Sequence, residues 1–126
     1  MNEEIRIDKL FVNDGEFANN KDIEVVNATN VVGVLSFGAF KDCTNLKEIF
    51  FGADISRIGH GAFKGCTSLT DVWFAVIDKN KLIEIAEDAF DNCPNQITFH
   101  IFATARQHKI LNDYARRHNF KVAGMI

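Results

Sequence analysis

Apolar residues return along this chain in columns rather than in one continuous stripe. Counted from Phe17, Phe40, Phe63 and Phe90, the position five residues earlier is Val12, Leu35, Ile58 or Ile85. Eight earlier stand Val32, Ile55 and Leu82, with Lys9 breaking the column. Six later stand Ile23, Leu46 and Leu69, with Gln96 breaking it. Nine later come Val26, Ile49, Val72 and Phe99, and eleven later Ala28, Phe51, Phe74 and Ile101. Polar residues fill the gaps. Stretches such as Leu46-Lys47-Glu48-Ile49-Phe50-Phe51 and Leu69-Thr70-Asp71-Val72-Trp73-Phe74 end in a period of two, which predicts one short strand per unit.

The reference phenylalanines sit in a recurring motif. It reads Ala39-Phe40-Lys41-Asp42-Cys43, Ala62-Phe63-Lys64-Gly65-Cys66 and Ala89-Phe90-Asp91-Asn92-Cys93. Phe40 and Phe63 are 23 residues apart, Phe63 and Phe90 are 27 apart, and Phe17 lies 23 before Phe40. The first unit is therefore degenerate, with Glu16 for Ala and Asn20 for Cys. The compact Ala-Phe-x-x-Cys stretch predicts one turn of helix. The longer interval predicts a polar bulge at Ile77-Asp78-Lys79-Asn80-Lys81, between coils where insertions cost little.

A unit of this length cannot bury its own apolar face. Stacked units bury a continuous core and touch only their neighbours, so the expected architecture is a solenoid. The fold class is α+β and β-rich, with three to four coils and a C-terminal capping helix. One domain is expected over 1–126: a degenerate N-terminal coil at 1–22, repeats at 23–102 and a helix–strand cap at 103–126.

The segment Ile58-Gly59-His60-Gly61-Ala62-Phe63-Lys64-Gly65-Cys66-Thr67-Ser68-Leu69 resembles the BspA-type leucine-rich repeat, as does Cys93-Pro94-Asn95. The resemblance covers about residues 5 to 126. It departs from the family pattern in the loop after the strand, where Gly52-Ala53 and Asn27-Ala28 replace the usual proline. It implies a non-catalytic repeat protein, since family members are found largely on bacterial and protist surfaces and are linked to adhesion and protein contact.

The cap is written in the last residues. Thr104 with Gln107 three later is a capping-box pattern. Ala105, Ile110, Leu111, Tyr114 and Ala115 share one helical face. Asn119 suits a left-handed stop, and Phe120-Lys121-Val122 predicts a closing strand. Such a cap covers the open core and strand edge of the last coil, so the domain reads as complete at this end.

Composition sharpens the picture at a few points. Phenylalanine is used 12 times against one Tyr and one Trp. The core columns and the cap, through Phe120, absorb eight of these; Phe11, Phe37 and Phe102 fit no column. Net charge is −3, which argues against the chain as a nucleic-acid polyelectrolyte partner. The charge is uneven: Arg106, Lys109, Arg116, Arg117 and Lys121 against Asp113 give residues 103–126 a net +4, against −7 elsewhere. Arg106, Lys109, Arg116 and Arg117 form a second candidate docking patch beside the simpler reading of a solvated helix face. No aromatic residues interleave them, so nucleic acid is disfavoured.

Catalytic and metal signals are weak. The three cysteines lack close-pair spacing for zinc and read as free, structural core thiols. His60, His100, His108 and His118 form no ligand pairing. No serine stands in a nucleophile elbow, and Gly59-His60-Gly61 is no phosphate loop. No cofactor or metal is expected, and no enzyme activity. The stretch Met1-Asn2-Glu3-Glu4-Ile5-Arg6 shows no leader pattern, and no apolar run is long enough to span a membrane. The expected location is cytoplasmic as the chain stands, or the cell surface or exterior if it is a fragment.

The strand face carries the sharper functional signal. With Ile49, Val72 and Phe99 inward, the next residue points outward. That column is Asn27, Phe50, Trp73 and His100, flanked two residues earlier by Val25, Glu48, Asp71 and Thr98. Aromatic residues on an open face mark protein contact sites. The expected function is protein binding through this face by an intracellular regulator or inhibitor of a larger protein, of the kind phages and mobile elements encode. The alternatives are an excised ectodomain of a surface adhesin and a structural or homo-oligomerising module.

Overall fold

The computed structural model describes residues 3–75, 82–102 and 105–124. Period-two alternation becomes strand where the columns place it. The strands β1 (Glu4–Arg6), β2 (Val25–Ala28), β4 (Glu48–Phe51), β6 (Asp71–Phe74), β8 (Thr98–Ile101) and β9 (Lys121–Gly124) form one six-stranded parallel sheet in that order. In β2, β4, β6 and β8 every second residue is buried, and the residues between are half-buried. Pairing is in strict register across β4, β6 and β8: Ile49, Val72 and Phe99 align, as do Phe50, Trp73 and His100.

The chain makes about five turns of a β-rich solenoid. Four carry the phenylalanine motif, and the fifth contains the helix α1 (Ala105–Arg117) between β8 and β9. The three-to-four-coil expectation omitted this cap turn, because it has no Ala-Phe-x-x-Cys motif to mark it.

The Ala-Phe-x-x-Cys segment is a stacked turn, not a turn of α-helix. Its N–H groups alternate: Lys41 and Cys43 bond back three residues to Gly38 and Phe40, while Phe40 and Asp42 donate to Ala62 and Lys64 of the next coil. An α-helix would use those donors internally; here they tie one coil to the next. The turns share a left-handed position, filled by Asn19, Asp42, Gly65 and Asn92 at φ 64, 60, 78 and 59°. These residue types tolerate that conformation best.

A second parallel sheet was not expected. It is built from β3 (Gly33–Leu35), β5 (Ile55–Ile58) and β7 (Glu84–Ile85), with Val12 bridging Leu35. These strands are short, and the register shifts between Gly33 and Val34, which blurs their period. One core column also differs from the expected one: Val31, Ile55 and Ile83 are buried, while Val32 and Leu82 are only half-buried. In the last coil Ile97, not Gln96, fills the inward slot.

The phenylalanine motif builds the core. Phe17, Phe40, Phe63 and Phe90 stack in sequence at 5.2, 5.7 and 5.2 Å between ring centroids, within 8° of parallel. Phe51 and Phe74 stack beside them at 5.8 Å. Each coil therefore buries a large ring against the same ring of its neighbour.

At the C-terminal end α1 presents Leu111, Tyr114 and Ala115 to the core. Ile110, expected on that face, is partly exposed instead at 37%. The Tyr114 hydroxyl donates to Ala86 O at 2.9 Å. Phe120 packs edge-on against Phe90 and Phe99 at 5.6 and 5.4 Å. The helix ends in a Schellman motif: Asn119 takes φ 61°, its N–H bonds Arg116 O, and the Phe120 N–H bonds Ala115 O. The expected bulge at Ile77–Lys81, Thr104 of the capping box and the side chains of Ala105 and Gln107 lie outside the described residues.

Candidate functional site

The outer face of the six-stranded sheet is a grid. One row across the strands is Arg6, Asn27, Phe50, Trp73, His100 and Ala123; the other is Glu4, Val25, Glu48, Asp71, Thr98 and Lys121. Alternation alone puts them there, because their neighbours along each strand fill the core. The structure thus brings the strand-face candidates together on one surface.

Within the first row the rings form a ladder. Phe50 and Trp73 stack at 5.5 Å and 16°, and Trp73 and His100 at 3.6 Å and 8°. The rings are half-buried rather than freely exposed, because each covers the next. His100 is anchored from the second row: its Nε2 lies 2.7 Å from Asp71 Oδ1. The Thr70 hydroxyl donates to Asp71 Oδ2 at 2.7 Å. The Trp73 indole N–H is buried and has no hydrogen-bond acceptor among the described residues. Asn27 is engaged locally, its Oδ1 accepting from the N–H and hydroxyl of Thr29.

The second row is acidic. Glu48 and Asp71 lie directly opposite one another on β4 and β6. They border a shallow groove of about 490 Å³ that Glu3, Glu4 and Glu24 also line. Lys47 also lines it and bonds Glu24 at 3.0 Å. Glu48 has no hydrogen bond or ion pair to its carboxylate among the described residues.

The second candidate patch is arranged differently. Lys109 and Arg116 both close on Asp113, at 3.0 and 2.8 Å, and hold its carboxyl below the usual range. Arg117 bonds Glu87 at 2.8 Å and lies over the Tyr114 ring. These three cations are satisfied on their own chain. Arg106 lies in the first turn of α1, and its side chain is outside the described residues.

The cysteines are buried or half-buried free thiols. Desolvation pushes Cys66 far above the usual thiol range and Cys93 up to about 11. Among the described residues no three His, Cys, Asp or Glu side chains are placed to hold a metal ion. Among them, too, no helix is long and apolar enough to cross a membrane.

A further surface escaped the sequence columns. Leu10, Phe11, Val34 and Phe37 are large apolar side chains left exposed near the second sheet in sequence, Phe11 by 65% and Phe37 by 62%. Val12 pairs with Leu35, which sets Phe11 beside Val34. The signal was available: Phe11 and Phe37 are two of the phenylalanines that fit no core column.

Comparison with known proteins gives one family. The model described as BspA type Leucine rich repeat region matches residues 5–117 in 6 copies. No curated protein and no solved structure matches the chain.

Proposed function

Because the chain belongs to the BspA-type leucine-rich repeat family, we propose that it is a non-catalytic protein-binding module whose contact surface is the outer face of the six-stranded sheet. Repeats of this kind serve protein interaction in general, and the family is typically non-enzymatic. The observation that carries the choice of face is the stacked row Phe50–Trp73–His100. Rings fixed by their neighbours lose little freedom on binding, so contact area is gained at low entropic cost. In this reading the module acts by occupying the surface of a larger protein, as a regulator or inhibitor; service within a surface adhesin uses the same face. Affinity capture with the wild type and a Phe50→Ala/Trp73→Ala double variant tests it. Identical partner lists for the two proteins remove the strand face from consideration.

A second reading, an oligomerising module, is favoured by the apolar cluster Leu10, Phe11, Val34 and Phe37. Large apolar side chains grouped on one surface seek cover. Its test is solution mass: a dimer that Phe11→Ser/Phe37→Ser dissociates supports it, and a monomer at high concentration excludes it.

A further inference from the structure

We infer that the two ends of this solenoid bind each other between copies of the chain. The free edge of β1 on one protomer pairs in parallel with the free edge of β9 on the next. The partner is a second copy, and the contact is independent of both the strand face and the apolar cluster.

The six-stranded sheet has an edge at each end. Among the described residues β1 pairs only with β2, and β9 only with β8. The strand that follows α1 extends the sheet and so creates a new edge. Unpaired edges are templates for another strand. Backbone groups alternate from side to side along each strand. The Ile7 N–H bonds Asn27 O, so the N–H and C=O of Glu4 and Arg6 point away from β2. The Lys121 N–H bonds Ile97 O, so those of Val122 point away from β8. Continuing the register of the sheet sets Val122 N–H on Glu4 O, and Arg6 N–H on Val122 O.

The side chains match in that same register. The outer row that runs through Val25, Glu48, Asp71 and Thr98 begins at Glu4 and ends at Lys121. In the continued sheet these two stand directly opposite, an attractive cross-strand pair. Both are exposed, and neither has an ion pair among the described residues. The inward row tells the same story. Val26, Ile49, Val72 and Phe99 are fully buried, while its end members Ile5 and Val122 are only half-buried. Each lacks a neighbour on one side, and the next copy supplies it. Phe17 is likewise half-buried at the head of a ring stack whose Phe40 and Phe63 are fully covered.

Charge sets the polarity. Residues 1–22 carry six acidic and three basic side chains, a net −3, against the net +4 of residues 103–126. Head on tail joins opposite fields, whereas two heads or two tails repel. The contact is therefore heterologous and leaves one edge of each kind free, so growth is open-ended. Each copy adds the six strands of its sheet, a repeat of about 29 Å along the stack at ordinary strand spacing.

Sedimentation equilibrium of the intact chain over a range of concentrations tests this. The expected result is a mass that rises past the dimer, with association about three-fold or more weaker at high than at low salt. Glu4→Lys and Lys121→Glu should each weaken association about five-fold or more, and Glu4→Lys/Lys121→Glu should restore it to within about three-fold of wild type. Arg6→Pro removes an outward donor and keeps the bonds to β2, so it should give a folded monomer by circular dichroism. If that variant unfolds, the charge exchange decides alone. A monomer at millimolar concentration, a mass that stops at the dimer, or no recovery in the double variant overturns the inference. So does a folded Arg6→Pro that still associates. Association lost in Phe11→Ser/Phe37→Ser but kept in Lys121→Glu belongs to the apolar cluster, and the end-to-end contact falls.

Discussion

The Cys66 thiol donates to the carbonyl oxygen of Phe40, 3.1 Å away in the preceding coil. Cys93 makes the same bond to Phe63 O at 3.2 Å, and Cys43 to Phe17 O at 3.1 Å. The motif Ala-Phe-x-x-Cys thus contains two ends of one coil-to-coil bond, with the thiol as a small buried donor. In the first unit Asn20 stands at the cysteine position.

These thiols are expected to be unreactive in the folded protein and ranked by burial. The thiolate is the nucleophile, and desolvation holds Cys66 and Cys93 protonated at pH 8. Iodoacetamide followed by peptide mass mapping should label Cys93, the half-exposed member, first. Cys66 should be labelled only at the rate of unfolding. Cys66→Ala should lose about 1–2 kcal/mol through the donor and its packing.

The two aromatic ladders should differ sharply in their weight for stability. Phe63 is fully buried between Phe40 and Phe90. Phe63→Ala leaves a cavity in the coil-to-coil stack and should cost about 3–5 kcal/mol. Trp73 packs on one open face, so Trp73→Ala should cost only about 1–2 kcal/mol and keep the fold. Denaturant melts of the two variants check this. Equal losses would mean that the outer ladder is core rather than contact surface.

Gly52 should tolerate no side chain, although its φ is ordinary. A Cβ there would run into the Thr29 carbonyl oxygen of the preceding coil. Backbone cannot yield as a flexible side chain can, so the coils must separate. Gly52→Ala should cost about 2 kcal/mol or more, in the range of overpacked cores. Gly38→Ala meets no atom closer than 3.8 Å but sits at φ 59°, so its loss should be smaller, about 1 kcal/mol. Thermal melts of the pair rank the two effects.

Legibility followed the strength of the periodic signal. The columns through Val26, Ile49, Val72 and Phe99 place the main sheet because one face of it is wholly buried, which fixes register. The stop at Asn119 is legible because few residue types accept its conformation. The second sheet was not legible: β7 has two residues, and a register shift at Gly33 breaks the alternation of β3. Phe50 and Trp73 could be placed outward from the sequence, but the stacking that half-buries them depends on cross-strand spacing, which no single strand contains. The like-charge pair Glu48–Asp71 was likewise visible only as two residues in one column, and the contact of Asp71 with His100 needed the neighbours' side chains.

The cap should loosen on the acid side through Glu87. This carboxylate accepts from Arg117 at 2.8 Å and lies 3.0 Å from His118 Nε2, tying the end of α1 to the coil that carries Phe90. Those hydrogen bonds, the Arg117 one foremost, hold its carboxyl below the ordinary value of 4.5. The sign follows from proton binding. The unfolded chain takes up the proton at higher pH than the folded one, so falling pH favours unfolding. The Glu87 contribution is full above about pH 4.5 and fades as pH drops through the lower folded-state value. The group is largely exposed, so the effect is small and salt-sensitive. Glu87→Gln should lower Tm by about 1–3 °C at pH 7, and the gap to wild type should be narrower at about pH 3, because Glu87 takes up its proton as pH falls below the ordinary value. Circular dichroism melts at the two pH values measure it. A gap as wide at pH 3 as at pH 7 would assign the role of Glu87 to packing rather than charge.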